Sequence, residues 1–197
     1  MPLSAAKRYA TPVPTSDALA VVLLERIRGL DRTDRAVLMR ASIIGRRFRV
    51  AVLNATVELA EDRVRAALDT ACTLELIEPV DANCEWYTFR HALIRDAMYE
   101  QFVKSRVRHA HRRIALAVER CTGQDALDDL AYHSWAAGDA TRCIRYNELA
   151  GDRALAVFAY DDARTLYGRA RAFASLRSLD YLRLSGKIDA LRQSDRQ

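Results

Sequence analysis

Histidine and cysteine are the residue types in this chain that could ligate a metal or act as nucleophiles. The chain contains four of each, namely His91, His109, His111, His133, Cys72, Cys84, Cys121 and Cys143. The two closest histidines are two positions apart, which on a helix directs them to different faces. The cysteines form no C-x-x-C pair and have no histidine at zinc-site spacing. We therefore expect neither a metal site nor a disulfide framework, and a cytoplasmic location fits reduced thiols.

Motifs for nucleotide or acyl chemistry are also missing from the sequence. A P-loop needs G-x-x-x-x-G-K-[ST], because its backbone amides hold the phosphates and its hydroxyl holds magnesium. The Gly186-Lys187 pair is followed by Ile188, and Tyr181 occupies the first glycine position. All seven glycines are isolated, which leaves no dinucleotide-binding loop and no G-x-S-x-G elbow. We expect no enzyme activity and no cofactor of the chain's own.

The composition favours long helices joined by short connections. Of 197 residues, half are hydrophobic and 29% are charged, and glycine (7) and proline (4) are scarce. The longest apolar run, Ala18 to Leu24, is far too short to span a bilayer, so we expect no membrane partner. Residues 1–15, which contain three prolines, are predicted to form an extended lead-in.

Residues 16–122 are predicted to form the first domain. The hydrophobic pattern predicts helices at 17–28, 33–44, 50–57 and 61–76, a β-hairpin at 77–80 and 85–89, and helices at 91–102 and 106–121. Leu93 and Ala97 are the expected core positions of the helix at 91–102. Three helices followed by a hairpin beside the third form the winged-helix plan, so we expect a winged-helix-like domain with trailing helices.

Residues 123–197 are predicted to form a helical solenoid. Its helices are expected at 126–137, 140–158, 161–175 and 178–192. Evenly spaced helices rich in Ala, Tyr and Leu are typical of tetratricopeptide-like (TPR-like) repeats, and Ala163, Tyr167 and Ala170 have the small-large-small spacing with which such repeats interlock. The predicted fold is thus mostly α: a winged-helix-like domain with a short β-hairpin, followed by an α-helical, TPR-like solenoid.

The most specific segment is Phe89-Arg90-His91-Ala92-Leu93-Ile94-Arg95-Asp96-Ala97-Met98-Tyr99. It resembles the Phe-Arg-His-x-Leu-x-Arg-x-Ala-x-Tyr signature that follows the wing in bacterial STAND-type ATPases. Residues 14–30, 37–48 and 130–139 resemble three further segments of that family, which are the link out of the ATPase core, a hydrophobic helix ending in Gly-x-x-Phe, and the start of the helical repeats. The resemblance covers about residues 14 to 175.

The resemblance implies a place in a larger signalling protein. In STAND-type proteins an ATPase module precedes the winged helix and repeats follow it, and many members carry a DNA-binding, cyclase or kinase output domain. This sequence contains neither the ATPase module nor an output domain, which implies a fragment, a split subunit or a degenerate relative. The implied partner is an ATPase module in cis or in trans, and ATP or ADP is an implied cofactor only when that module is joined.

The resemblance also implies a nucleotide-sensing site. His91 matches the histidine of the Met-His-Asp segment that contacts the ADP β-phosphate in related STAND ATPases of plant immunity and apoptosis, with Arg90 in place of Met and Ala92 in place of Asp. The implied site comprises His91, Arg90 and Arg95, with an imidazole that donates a hydrogen bond to phosphate. The alternative is that His91 caps the helix and packs against the wing.

Charge argues against DNA binding by the predicted recognition helix at 61–76. Its exposed face carries Glu61, Asp62, Asp69 and Glu75 against Arg63 and Arg65, and such a face repels phosphate. Positive charge gathers instead in a basic patch, Lys104, Arg106, Arg108, Arg112 and Arg113, with His109 and His111 interleaved. This patch is a candidate docking site for an acidic partner, a nucleotide phosphate or, less favoured, nucleic acid. The alternative, which we favour because isolated arginine runs are usually solvated, is a solvated face with intramolecular salt bridges.

Four aromatic residues of the predicted repeats, Trp135, Tyr146, Tyr160 and Tyr167, are candidates for a groove that binds a protein or peptide, because tandem repeats expose concave surfaces. The alternative is that they fill seams between helices. The leading hypothesis is a non-catalytic regulatory and protein-interaction module of a STAND-type ATPase system in signalling or transcriptional regulation. The alternatives are a free-standing DNA-binding regulator that uses the basic helix, and an adaptor with no ATPase partner.

Overall fold

The chain is mostly helical, as the sequence predicts, and it contains a small three-stranded antiparallel sheet. The computed structural model describes residues 25–102, 104–122 and 126–194. The predicted lead-in at residues 1–15 and most of the predicted helix at 17–28 lie outside the described residues, although residues 25–28 are helical. The described residues form two compact units, one within Lys7–Ala117 and the other within Val118–Gln197.

The first unit combines helices with the sheet. Its helices are α1 (Arg32–Ile44), α2 (Val50–Asn54), α3 (Glu61–Thr73), α4 (Ala92–Glu100) and α5 (Lys104–Thr122), and α5 extends past Ala117 into the residues of the second unit. Its strands are β1 (Arg47–Arg49), β2 (Ile77–Pro79) and β3 (Trp86–Phe89). The strands pair antiparallel in the order β1-β3-β2, so β3 is central. The predicted hairpin of β2 and β3 is confirmed.

Capping residues set the ends of α1. The Asp31 side chain accepts a hydrogen bond from the backbone N–H of Asp34 at 2.6 Å, which satisfies a free amide in the first turn. Gly45 ends the helix with φ 156°, in the region that favours glycine, and its N–H donates to the Ala41 carbonyl at 3.2 Å. Between these caps, Val37, Leu38 and Ala41 are fully buried. The sequence-predicted helix at 33–44 is therefore confirmed.

Strand β1 was not predicted from the sequence, which placed Arg47–Arg49 in the connection between the predicted helices at 33–44 and 50–57. The helix ends at Ile44, and Phe48 lies in the strand, fully buried, with its ring centroid 6.1 Å from that of Tyr87 and 5.7 Å from that of Phe89. The flanking Arg47 places its guanidinium 4.8 Å from the ring centroid of Trp86. Phe48 therefore joins β1 to the core through β3.

The core stripe of α4 differs from the expected one by one position. Ile94 and Met98 are completely buried, whereas the predicted core residues Leu93 and Ala97 are only half-buried. The reason is tertiary: α4 packs against α1 and β3, and the 94–98 side is the one turned toward them.

The second unit is built from helices that each pack on the next along the chain. They are α6 (Leu127–Ala137), α7 (Ala140–Ala156), α8 (Tyr160–Phe173) and α9 (Leu179–Ser194), close to the predicted bounds. Gly138, with φ 69°, ends α6, and the Asp139 side chain caps α7 by accepting from the Arg142 N–H at 3.2 Å. Helix α7 ends before the predicted residue 158, because Phe158 adopts a left-handed φ of 60°.

Tyr167 is the centre of the contact between α7, α8 and α9. Ala163, Tyr167 and Ala170 are all fully buried and pack with Leu184, Ile188 and Leu191 of α9, so the predicted interlocking residues lie in the core. The Tyr167 hydroxyl donates to Oδ1 of Asp152 on α7 at 2.6 Å. A tyrosine buried with its hydroxyl satisfied in this way fixes the spacing of the helices that contact it.

Candidate interaction surfaces

His91 lies at the N-cap position of α4, and its side chain is exposed. The side chain makes no capping hydrogen bond, which contradicts the alternative that His91 caps the helix through its imidazole. The helix instead begins with backbone bonds from Ile94 and Arg95 to the His91 carbonyl, at 3.1 and 3.5 Å. An exposed imidazole at a helix start is available to an external group.

Arg90 and Arg95, the other two residues of the implied nucleotide-sensing site, are engaged by different parts of the first unit. Arg90 pairs with Glu78 at 3.0 Å and with Glu75 at 3.6 Å. Arg95 donates to the Ser42 carbonyl of α1 and to Asp96, both at 2.9 Å. The two guanidiniums are thus occupied by protein groups, and His91 is the member of the three that faces solvent without such a contact.

A polar contact in the first unit, missed by the sequence analysis, links α4 to α5. The Tyr99 hydroxyl lies 3.4 Å from Nε2 of His111, and the Arg95 guanidinium lies 4.9 Å from the Tyr99 ring centroid. His111 is 1% exposed. Burial, assisted by the charge of Arg95, lowers the pKa of His111 to about 4, so the ring is neutral at pH 7.

The burial of His111 corrects its assignment to the basic patch. The side chains of Arg106, Arg108, His109 and Arg112 are exposed, and within the described residues these three arginines form no ion pair. Arg113 is paired with Glu58 at 3.0 Å, as the alternative of intramolecular salt bridges expects, and the Lys104 side chain lies outside the described residues. His111 follows Ala110 and precedes Ile114 by one turn, so its position on the apolar stripe was the available signal.

The exposed face of α3 is acidic, and its two arginines are already neutralised. Arg63 contacts Asp31 at 3.0 Å and Asp34 at 2.6 Å, and Arg65 contacts Glu61 at 2.9 Å. Asp62 and Asp69 of α3 are exposed and form no ion pair within the described residues. The nearby Glu75, Glu78 and Glu85 are also exposed, but they pair with Arg26, Arg90 and Arg49. A face of this charge repels a polyanion and suits a partner with basic side chains.

The four candidate groove aromatics do not share one surface. Tyr146 and Tyr167 are 3% and 0% exposed, so they fill seams between helices and cannot line a groove. Trp135 and Tyr160 are partly exposed, and the guanidinium of Arg169 covers the Trp135 ring at 4.4 Å. The prediction of a groove is therefore wrong for the two buried tyrosines, because their rings supply the volume that the small residues around them leave open.

Tyr146 completes a hydrogen-bonded cluster within the second unit. Its hydroxyl donates to Glu119, near the end of α5, and Arg142 donates to the same carboxylate at 3.2 Å. The Tyr146 hydroxyl and Arg142 lower the pKa of Glu119. Arg142 also contacts Asp139 at 3.1 Å, which joins the cluster to the cap of α7.

The second unit contains a groove of about 900 Å³ whose lining includes none of the four predicted aromatic residues. Helix α7 forms one wall, and the end of α8, the connection to α9 and the first turns of α9 form the rest. Its apolar lining includes Ile144, Leu149 and Phe173, and its charged lining includes Arg145, Glu148, Asp152, Asp180 and Arg183. A mixed lining of this kind suits a peptide better than a small apolar ligand.

Ion pairs hold the two sides of this groove together. Arg183 of α9 binds both carboxylate oxygens of Glu148 on α7, each at 2.8 Å, and Lys187 contacts Glu148 at 3.0 Å and Asp152 at 2.6 Å. Arg183, followed by Lys187, lowers the pKa of Glu148 against the effect of burial. Glu148 therefore stays ionised and fixes the position of α9 against α7.

The described parts of the chain contain neither a cluster of metal ligands nor a helix that could span a membrane. Over residues 25–102, 104–122 and 126–194, no three His, Cys, Asp or Glu side chains come together as a metal site would require. The helices there are each too short or too polar to cross a lipid bilayer. The four cysteines, Cys72, Cys84, Cys121 and Cys143, form no disulfide. No protein-family model matches this chain, and no curated protein sequence matches it.

Proposed function

We propose that the chain is a non-catalytic regulatory and protein-interaction module that works with a STAND-type ATPase, with a winged-helix-like first unit and a TPR-like second unit. The first unit supports this through its element order, which is helix, strand, two helices and two strands, with β1 added to the edge of the β2-β3 hairpin. The winged-helix plan has this order. The second unit supports it through consecutive packed helices and a groove along α7.

The charge of α3 is the observation that carries the proposal. In a DNA-binding winged helix the corresponding helix enters the major groove, where lysine and arginine must meet phosphates. Here Arg63 and Arg65 are paired with carboxylates of the chain itself, and the other charged residues of the face are acidic. The proposed role of this face is therefore to contact protein, and the proposed action of the module is to close on the ATPase and retain its nucleotide.

Nucleotide retention tests the proposal. An ADP-loaded STAND ATPase module is mixed with the chain, and release of a fluorescent ADP is followed with time. We expect the chain to slow release severalfold and His91→Ala to remove most of that effect, because the His91 side chain is exposed and, unlike those of Arg90 and Arg95, is not engaged by another group of the described residues. His109→Ala, which alters another exposed histidine, is the matched control and should retain the effect. Unchanged release in the presence of the wild-type chain would contradict the proposed function.

A second candidate function, DNA binding through α5, is favoured by one observation. Arg106, Arg108 and Arg112 are exposed and, in the part of the chain that the structure describes, have no carboxylate partner. A gel-shift titration at several salt concentrations separates the two functions, since each phosphate contact steepens the salt dependence. Under the leading proposal, the chain shows no salt-dependent shift, and the Arg108→Gln/Arg112→Gln variant behaves like wild type. A steep slope that this variant reduces would favour DNA binding.

A further inference from the structure

The connection between α7 and α8 exposes an unbroken run of apolar residues at 155–160, with the sequence Leu-Ala-Val-Phe-Ala-Tyr. Val157 is 69% exposed and Phe158 is 76% exposed, and the ring centroid of Phe158 lies 6.3 Å from that of Tyr160. We call residues 155–160 the apolar knob. Apolar side chains left in water forgo the free energy of burial, so a continuous exposed run of this kind marks a contact surface.

The backbone of the knob adds a second observation. Phe158 has a left-handed φ of 60°, which is unfavourable for a bulky side chain. Two hydrogen bonds at 2.9 Å hold it there, from the Phe158 N–H to the Leu155 carbonyl and from the Ala159 N–H to the Ala154 carbonyl. A smaller residue would end the helix with less strain. The exposed ring at a strained position therefore needs a reason beyond folding.

The groove along α7 offers a matching surface within the same unit. Ile144, Leu149 and Phe173 supply its apolar lining, and a volume of about 900 Å³ has room for several side chains. The carboxylates of its lining are already paired with cations of α9. Arg145, which also lines the groove, is exposed and has no carboxylate partner among the described residues. The groove thus combines an apolar floor with one uncompensated cation.

The charge beside the knob is of the opposite sign. Asp161 and Asp162 follow the knob directly in the sequence. Asp161 contacts Arg164 at 2.8 Å, whereas Asp162 has no cationic partner in the part of the chain that the structure describes. An unpaired carboxylate next to the knob matches the unpaired guanidinium of Arg145 in the groove. The same carboxylates would be repelled by an anionic lipid surface, which argues for a protein as the occupant.

The knob of one copy cannot fill its own groove. Ile144 precedes Ala156 by twelve positions on α7, which is about 18 Å along the axis at about 1.5 Å per residue. The knob follows the last turn of α7, whereas Ile144 and Phe173 lie near the start of α7 and the end of α8. The two surfaces of one copy are therefore available to two different neighbours.

We propose that the chain associates with itself head to tail, with the knob of one copy seated in the groove of the next. Val157 and Phe158 pack on the apolar lining of that groove. Asp162 pairs with Arg145 of the neighbouring copy. Because two different surfaces meet, the contact is heterologous and adds further copies. The contact is small, so the association is weak and depends on concentration. This inference goes beyond the proposed function and requires no ATPase module.

Sedimentation equilibrium of the full chain, from micromolar to millimolar concentration, tests the proposal. We expect the average mass of wild type to rise with concentration. Phe158→Asn removes the ring, and asparagine tolerates the left-handed backbone, so this variant should associate at least about tenfold more weakly without losing thermal stability. Arg145→Glu, on the exposed side of the contact, should weaken association similarly. Leu59→Gln alters a leucine of the first unit that is as exposed as Leu149, and it should associate like wild type.

Mixing the two variants distinguishes this contact from a symmetric one. The Phe158→Asn chain keeps an intact groove, and the Arg145→Glu chain keeps an intact knob. An equimolar mixture should therefore recover association and stop at a dimer, whereas each variant alone remains monomeric. Adding Asp162→Arg to Arg145→Glu should restore association in one chain, because the ion pair is reversed.

Three results would overturn the proposal. One is a wild-type chain that stays monomeric at millimolar concentration. Another is a mixture that associates no better than its two components, since a knob meeting a knob would give that outcome. The third is binding of wild type to phosphatidylcholine vesicles that Phe158→Asn abolishes, with no self-association in solution, which would identify a lipid surface as the occupant of the knob.

Discussion

A β-carbon at Gly151 of α7 would lie 2.5 Å from Cε1 and 2.7 Å from Cδ1 of Tyr167 on α8. Glycine at this position therefore allows α7 to approach the buried ring. The ring cannot retreat easily, because Tyr167 is completely buried and its hydroxyl is bonded to Asp152. The fit between Gly151 and Tyr167 is thus a condition for the packing of the second unit.

Gly151→Ala should destabilise the second unit. Overpacking a core costs about 1–3 kcal/mol. Because Tyr167 is held on all sides, we expect this cost to exceed the roughly 1 kcal/mol by which alanine is more favourable than glycine in a helix. Urea unfolding monitored by circular dichroism measures the net change in free energy of unfolding. Gly168→Ala on α8 is the control, since nothing lies within 4 Å of its added methyl group, and it should be stabilising or neutral. Equal effects of the two substitutions would contradict the packing argument.

The buried imidazole of His111 should make stability fall in mild acid. Its folded-state pKa is lowered to about 4 from 6.5, so between these pH values the unfolded chain binds a proton that the folded chain does not. The contribution of the neutral His111 side chain to the free energy of unfolding is therefore complete above about pH 6.5. It declines as the pH falls toward 4, by at most about 1.4 kcal/mol per pH unit. Unfolding by urea at a series of pH values gives the slope.

His111→Gln removes this titrating group and should flatten the pH dependence between pH 6.5 and 4. His109→Gln alters an exposed neighbour on the same helix and should leave the dependence as it is in wild type. If His111→Gln retained the full slope, another group would have to be responsible.

Tyr146→Phe should lower the stability of the second unit near neutral pH. The hydroxyl of Tyr146 lowers the pKa of Glu119, so this bond contributes above the unfolded-state pKa of about 4.3 and is lost as the pH falls through the lower folded-state pKa. We expect a loss of about 1–2 kcal/mol at pH 7 and a smaller one at pH 3. Chemical unfolding at the two pH values measures both. A loss that did not shrink in acid would indicate a packing effect and no role for the carboxylate.

Glu148→Gln should loosen α9 from α7. Glu148 receives two hydrogen bonds from Arg183 and one contact from Lys187, and its side chain is only 14% exposed. We expect a loss of about 1–2 kcal/mol at low salt that becomes smaller at 1 M salt, because salt screens the exposed cations. Asp189→Asn, which breaks the exposed pair with Arg192, should change stability by less than about 0.5 kcal/mol. Salt-dependent unfolding of both variants provides the comparison.

Local sequence patterns predicted the helices well and the surfaces poorly. The bounds of α6 to α9 follow from glycine, capping residues and apolar periodicity, all of which are local signals. Strand β1 was missed because Arg47-Phe48-Arg49 is too short to signal a strand and is held there by its pairing with β3. His111 was assigned to the surface by residue type, although its position on the apolar stripe of α5 signalled burial, and for Tyr146 the burial supports the alternative that it fills a seam between helices.

The pairing of β1 with β3 sets an order for folding. Two helices and a strand separate these partners along the chain, so β1 cannot join the β2-β3 hairpin until a long loop has closed. Closing that loop costs entropy before the strand contacts form. The helices of the second unit meet their neighbours across short connections, and such local assembly is fast. On refolding, the second unit, which contains Tyr167, should reach its native state first. The first unit, which contains Phe48, should fold more slowly and stay vulnerable to misfolding for longer.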